Sequence, residues 1–213
     1  SVHEPKRMRL AAAHFDKAFA AFAAVLPMEH PADSRLRHFV RENPEVGASD
    51  RAFIAEAIFG ILRHRFCLEC VAGTSTPRSL LLVYLVKFQG MNLRELVAFV
   101  SEAEAKWLAG IKAVTAESQP LAIQAEFPQW LIEKLHGFLT DIEILSLGRS
   151  LQQPASLDLR VNTLLANRDE ILALLSEDGI EGNITPYSPI GIRLAGKPAV
   201  NRHELFLSGK VEV

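Results

Sequence analysis

The sequence is poor in several residue types that would at once define a class of protein. It contains two cysteines, two tryptophans and two tyrosines among 213 residues. Two cysteines cannot build a disulfide framework, so the chain must fold by burying apolar surface, roughly 70% of its unfolded surface at this length. The 12 glycines and 11 prolines exclude collagen-like and low-complexity chains. So few cysteines also suit a reducing compartment, and we expect a cytoplasmic protein.

Long apolar runs and an excess of one charge are also missing. Apolar runs such as Leu80–Val86 are too short to cross a bilayer. Near the N-terminus, His14, Asp16 and Lys17 interrupt an alanine-rich stretch before a secretory signal can form. The net charge of −2 argues against an extended DNA-binding surface. We therefore expect no membrane or DNA partner, and any nucleic-acid surface must be a local patch.

The first 150 residues have the apolar periodicity of successive helices. Gly60 lies inside one of these stripes and predicts close contact with another helix, because glycine costs about 1 kcal/mol there relative to alanine. The signals that predict helices are Phe15, Phe19, Phe22 and Leu26 before Pro27; Leu36, Phe39 and Val40 before Asn43; Phe53 to Leu62 after a Ser49 cap; Thr76-Pro77 to Gly90; Leu96, Phe99, Val100 and Trp107 after an Asn92–Glu95 capping box; Pro128; and Thr140 with Glu143.

The pattern changes after residue 150. Leu157 to Val161 alternate between apolar and polar residues, which predicts a strand, and Asn167 with Glu170 caps a helix that ends at Gly179. Further strands are predicted near Gly182–Pro186, Gly191–Ala195 and His203–Leu207. The predicted fold is therefore mainly α: a helical domain over residues 1–150 with its linker helices, then a small α+β domain over 151–213.

Two blocks of sequence carry a family resemblance. The first, from Asp50-Arg51-Ala52-Phe53-Ile54 to Gly60-Ile61-Leu62-Arg63, resembles the central helix of the antitermination factor NusB. The second runs from Phe127-Pro128-Gln129-Trp130-Leu131-Ile132 through Leu157-Asp158-Leu159-Arg160-Val161-Asn162 to Ser208-Gly209-Lys210-Val211-Glu212-Val213. In this order the blocks resemble the N-terminal half of the RsmB/Sun/Fmu family of ribosomal RNA cytosine-C5 methyltransferases.

The resemblance implies a division of labour. Residues 1–150 would be a NusB-like RNA-binding domain, and 151–213 would precede a Rossmann-like catalytic domain that this chain lacks. The implied parent enzyme uses S-adenosylmethionine, and this chain would bind no cofactor but hold small-subunit ribosomal RNA, as a monomer. The family's catalytic cysteines lie in Pro-Cys and Thr-Cys-Ser contexts, which Cys67 and Cys70 do not match. No catalytic residue is predicted.

Arginines provide the candidate RNA contacts, because their forked donors suit phosphate oxygens. Arg63 and Arg65 could equally be a solvated helix end, and Arg160 could pair with Asp158 on the same side of its strand. The terminal basic cluster could be a frayed end. The candidates are Arg51, Arg63 and Arg65; Lys6, Arg7 and Arg9; and Arg160 with Asn162.

Other conspicuous residues favour structural roles. Cys67 and Cys70 stand at helical spacing without a second ligand pair, so we expect small buried hydrophobic residues rather than a zinc or redox site. The histidines match no metal signature, and no metal site is predicted. Trp107 and Trp130 are predicted to pack, although base stacking on them is possible.

Two other functions remain open at this stage. One is a stand-alone NusB-type factor in RNA–protein assembly, which the α+β segment after Pro154 disfavours. The other is a helical protein-interaction module that never contacts RNA, which the slightly acidic net charge allows.

Overall fold

A computed structural model describes residues 12–27 and 30–213 of the chain. The chain divides into two compact units, one ending at Gln152 and the other comprising Gln153–Val213. Helices build the described part of the first unit, and a small antiparallel sheet with two helices builds the second. The mainly α fold predicted from the sequence is confirmed.

Ten helices build the described part of the first unit. They are α1 (Ala12–Val25), α2 (Ala32–Glu42), α3 (Ala48–Arg63), α4 (Arg65–Ala72), α5 (Pro77–Lys87), α6 (Leu93–Leu96), α7 (Glu102–Ala113), α8 (Leu121–Ala125), α9 (Gln129–Leu135) and α10 (Asp141–Leu151), with a 3₁₀ turn at Ala116–Ser118. In α5, every residue from Leu80 to Val86 is buried. A helix that is apolar on all sides must be surrounded, and α5 contacts α1, α3, α4 and α7.

Two helix boundaries predicted from the sequence are wrong. Helix α3 begins at Ala48 with Gly47 at its N-cap, so Ser49 lies inside the first turn. The predicted single helix after Asn92 is two helices, because Ser101 forms its own capping box with Glu104 and begins α7. The apolar spacing continues from α6 into α7, so the sequence pattern does not indicate the break between them.

The close contact predicted at Gly60 is confirmed. A Cβ atom at this position would lie 2.1 Å from the Tyr84 hydroxyl oxygen, so only glycine lets α5 approach α3. A second contact of this kind was not predicted. A Cβ on Gly148 of α10 would lie 2.3 Å from the carbonyl oxygen of Ala125, at the end of α8.

The second unit is a four-stranded antiparallel sheet with one face covered. Its elements are β1 (Leu157–Val161), α11 (Arg168–Glu177), β2 (Gly182–Ile184), β3 (Gly191–Leu194), a 3₁₀ turn at Val200–Arg202, α12 (Glu204–Leu207) and β4 (Val211–Glu212), with strand order β2-β3-β1-β4. The inward residues of β1 and β3 pack with Ile171 and Leu175 of α11. The described residues contain this one sheet and no doubly wound parallel sheet of a catalytic domain.

The last predicted strand is wrong. His203 caps the short helix α12 at Glu204–Leu207, and the fourth strand is β4, which pairs Val211 with Val161. The predicted pairing of Arg160 with Asp158 is also absent. Each side chain pairs across the sheet instead, Arg160 with Glu212 and Asp158 with Arg193, because those residues stand directly opposite in register.

An ion pair fixes α7 against α5. Arg78 donates from Nε to Glu104 Oε1 at 2.7 Å, and the Ser101 backbone N–H donates to Glu104 Oε2 at 2.8 Å. The hydrogen bond from Arg78 and that from Ser101 lower the pKa of Glu104 from 4.5 to about 2. Because folding lowers this pKa, ionised Glu104 stabilises the folded state. This stabilisation is complete above pH 4.5 and is lost as the pH falls through about 2.

We therefore expect Glu104→Gln to lower the free energy of unfolding at pH 7 by on the order of 1–2 kcal/mol, since the pair is partly exposed and screened. Urea titrations at pH 7 and pH 3 measure the free energy of unfolding. The difference between the variant and the unsubstituted protein should be smaller at pH 3. Glu143→Gln is the matched control, because Glu143 holds the same capping-box position at Thr140 without an arginine partner. Equal losses from both substitutions would contradict a contribution from Arg78.

Candidate functional site

The structure does not bring the three predicted arginines of α3 and α4 together. Arg51 lies in the first turn of α3 and Arg63 at its last residue, about 18 Å apart along the axis. Arg51 donates from Nε to the Val46 carbonyl at 2.8 Å. It lines an open groove of about 350 Å³ between α2 and α3, whose rim also carries the Arg37–Asp33 ion pair.

Arg63 differs from its two neighbours in the prediction. Arg65 donates to Glu69 at 2.8 Å, so its charge is neutralised by a carboxylate one turn away. The Nε atom of Arg63 is buried without a hydrogen-bond partner, and no carboxylate in the described part of the chain pairs with it. A buried guanidinium donor without an acceptor is costly. No hydrogen bond or ion pair with another described residue engages the Arg63 guanidinium, so Arg63 is the arginine of this group whose terminal amino groups can bind an external anion.

Aromatic rings lie beside His64, the residue that follows Arg63 in the chain. The His64 ring stacks on Phe88 with centroids 4.0 Å apart, and Phe88 stacks in turn on Tyr84 at 5.9 Å. Gln89 donates to the Tyr84 hydroxyl at 2.9 Å. Phe88 remains 40% exposed although it follows the buried helix α5. The end of α3 and the end of α5 are thus joined by the His64–Phe88 stack, with the half-buried Arg63 next to His64 in the chain and the Phe88 ring partly exposed.

A buried carboxylate holds this surface in place. Glu126 follows α8 in the left-handed conformation, with φ of 58°, and its side chain is only 8% exposed. Its Oε1 lies 3.3 Å from His64 Nδ1, and its Oε2 accepts the Cys67 N–H at 3.2 Å. Glu126 therefore satisfies one free N–H group in the first turn of α4, that of Cys67, from a distant part of the sequence. It also fixes the His64 ring that covers Phe88.

The two cysteines have different surroundings. Burial, and then the Glu126 carboxylate, raises the pKa of the Cys67 thiol to about 11, so the thiol keeps its proton at neutral pH. Cys70 is exposed, so the prediction that both cysteines are buried is wrong for it. Among the described residues, no three side chains of metal-binding type come together. A protonated, half-buried thiol is a poor nucleophile, which disfavours a catalytic role for Cys67.

The predicted contacts in the second unit are engaged in local structure. Arg160 pairs with Glu212, as described above. The Asn162 amide donates to the Gly209 carbonyl at 3.1 Å, and its Oδ1 accepts the Leu164 N–H at 3.2 Å, which closes the turn after β1. These contacts favour structural roles for both residues. Lys6, Arg7 and Arg9 lie outside the described residues.

Several residues of the site had no recognisable signal in the sequence. Phe88, Gln89 and Glu126 carry no motif, and their contacts become visible only once α5 and the segment after α8 are placed beside α3. Trp107 packs against the main core, as predicted. Trp130 is 59% exposed and lies under the Lys134 ammonium group, 5.9 Å from the ring centroid, so the prediction that it is packed is wrong.

Comparison with known proteins shows what the chain is similar to. Residues 127–201 match the family model described as the ferredoxin-like domain of RsmF/B-like methyltransferases. Among curated proteins, the probable ribosomal RNA small subunit methyltransferase B of Synechocystis sp. is 29% identical over 70% of this chain. Among solved structures, the crystal structure of PH0851 aligns with 97% of the chain at a TM-score of 0.66 and 18% identity, which supports the fold.

These matches confirm the resemblance drawn from the sequence. The part of the chain around residues 127–201 is similar to the ferredoxin-like domain of RsmF/B-like methyltransferases, and a helical unit precedes it. Together with the Synechocystis relative, this match shows that the chain is similar to the N-terminal half of the RsmB/Sun/Fmu family of ribosomal RNA methyltransferases. The chain spans 41% of the length of the Synechocystis protein and 54% of the PH0851 chain. No helix in the described ranges is long and apolar enough to cross a membrane.

Proposed function

We propose that this chain is the RNA-binding region of a cytoplasmic ribosomal RNA cytosine-C5 methyltransferase. It would hold small-subunit ribosomal RNA for a catalytic domain that uses S-adenosylmethionine, and it would itself perform no chemistry. The match of residues 127–201 to a methyltransferase-associated domain disfavours a stand-alone NusB-type factor. The proposed partner is ribosomal RNA, with no DNA or membrane partner, and the proposed state is a monomer.

The observation that carries the RNA contact is the state of Arg63. Its Nε atom is buried and has no acceptor within the described residues. No described residue pairs with the rest of the guanidinium either, so its terminal amino groups are open to a phosphate oxygen, whereas the buried Nε is out of reach of one. An ionic hydrogen bond of this kind stabilises by about 1.5–3 kcal/mol. Arg51 and Arg65 gain less, since the Val46 carbonyl and the Glu69 carboxylate already accept hydrogen bonds from them.

We expect Arg63→Ala to weaken binding to small-subunit ribosomal RNA fragments about tenfold and to lower the salt dependence by about one counterion. Fluorescence anisotropy at two salt concentrations measures both quantities. Arg94→Ala is the matched control, because Arg94 is exposed on the short helix α6 and should leave both values unchanged. Arg63→Lys keeps the charge and should restore part of the affinity.

Three results would count against the proposal. If the chain bound no RNA at low salt, a protein-interaction module would be the better hypothesis. If RNA bound with an affinity independent of salt, phosphates would not be the contacts. If Arg63→Ala and Arg94→Ala had equal effects, the contact would be diffuse rather than centred on the end of α3.

A further inference from the structure

A pocket of about 210 Å³ opens next to Phe88, on the first unit. Its walls come from α4, α5 and the segment after α7, and Leu68, Val71 and Val83 supply apolar surface. Phe88 contributes its ring to the rim, where it is 40% exposed. An apolar cleft with an exposed aromatic ring is the kind of surface on which proteins hold an unstacked nucleobase.

The rim of this pocket carries polar groups that remain available. Among the described residues, the Gln119 amide nitrogen meets only the Ser118 hydroxyl, at 3.5 Å, and its oxygen only the Cys70 thiol, at 4.0 Å. Both distances are at the limit of a hydrogen bond. An amide offers a donor and an acceptor side by side, which matches the edges of the bases. Lys87, whose ammonium group binds the Val114 carbonyl, adds positive charge to the same rim.

The wall of the pocket carries no negative charge that would repel the phosphate of a bound nucleotide. Cys67 lines it, and this thiol keeps its proton at neutral pH for the reasons given above. The Glu126 carboxylate is turned inward onto the Cys67 N–H and His64. The larger groove between α2 and α3 does have a negative group at its rim, the Asp33 carboxylate.

We propose that this pocket takes one unpaired base of the bound RNA, while Arg63 binds the backbone beside it. The inference rests on the proposed function and deepens it, because it specifies single-stranded RNA rather than duplex. Phe88 links the two contacts: His64, which follows Arg63 in the chain, stacks on the ring that borders the pocket. The base would contact Phe88, and the Gln119 amide would bind its edge.

The test uses residues 1–213 and a fluorescein-labelled, unstructured 12-nucleotide RNA. We expect Gln119→Ala to weaken binding about five- to tenfold, the loss of one hydrogen bond. Gln129→Ala is the control, since Gln129 is an exposed glutamine of α9 outside the pocket. Duplex RNA of the same sequence should compete at least tenfold less well. With 5-iodouridine in the RNA, photo-crosslinks should map by mass spectrometry to the peptide that contains Phe88.

The outcomes distinguish failure of the base pocket from failure of the proposed RNA-binding function. If the RNA binds but Gln119→Ala matches Gln129→Ala and duplex competes equally, the base pocket is wrong and RNA binding stands. Crosslinks confined to peptides away from Phe88 would also overturn the pocket. If the unsubstituted chain binds no RNA at low salt, both the pocket and the proposed function fail.

Discussion

Replacing Gly148 by alanine is expected to lower the free energy of unfolding of the first unit by roughly 3 kcal/mol. The added Cβ would lie 2.3 Å from the carbonyl oxygen of Ala125 and 2.7 Å from its Cα. Both are backbone atoms, so no side-chain rotation can relieve the contact. Helix α8 would have to move away from α10, and the small cluster around Phe127, Ile132 and Ile144 would open.

The measurement is thermal unfolding followed by tryptophan fluorescence, because Trp107 and Trp130 both lie in the first unit. The transition should fall by roughly 6–12 °C. Gly110→Ala is the matched control: Gly110 also lies inside a helix, α7, and an added Cβ there has nothing within 4 Å. This control should gain up to about 1 kcal/mol from helix propensity. A similar gain from Gly148→Ala would contradict the packing described for α8 and α10.

Features that depend on neighbouring residues could be predicted from the sequence. The capping boxes at Asn92–Glu95 and Thr140–Glu143 are confirmed, because a cap and its partner lie three residues apart. The strand Leu157–Val161 is confirmed for the same reason, since alternation is local. The segment His203–Leu207 was too short to separate helix from strand by pattern.

Contacts between distant residues could not be predicted. Glu126 meets Cys67 across 59 residues and His64 across 62, and no local pattern marks it. The partner of Arg160 is Glu212 because β4 pairs with β1, a register that the sequence alone does not reveal. The candidate site also depends on contacts between distant residues. Arg63 was named from its residue type and position, whereas the ring beside it and the pocket beyond depend on how α5 packs against α3.

Replacing Gly60 by alanine is expected to destabilise the first unit by about 2–3 kcal/mol and to weaken RNA binding. The new Cβ would lie 2.1 Å from the Tyr84 hydroxyl oxygen and 2.5 Å from its Cζ. The Tyr84 side chain cannot simply swing away, because it is 4% exposed, stacks on Phe88 and accepts from Gln89. A displaced Tyr84 would shift the ring that borders the proposed base pocket.

A double-mutant cycle with Tyr84→Leu identifies the cause. Alanine is the better helix former by up to about 1 kcal/mol, so a net loss in Gly60→Ala must come from the collision. If Tyr84 is the obstacle, shortening it makes room, and the double variant should lose at least about 1 kcal/mol less than the two single losses added together. Urea unfolding of the four proteins measures this coupling. Additive losses would mean that the Tyr84 ring does not determine the need for glycine, and that α3 and α5 are not held at the close approach described here.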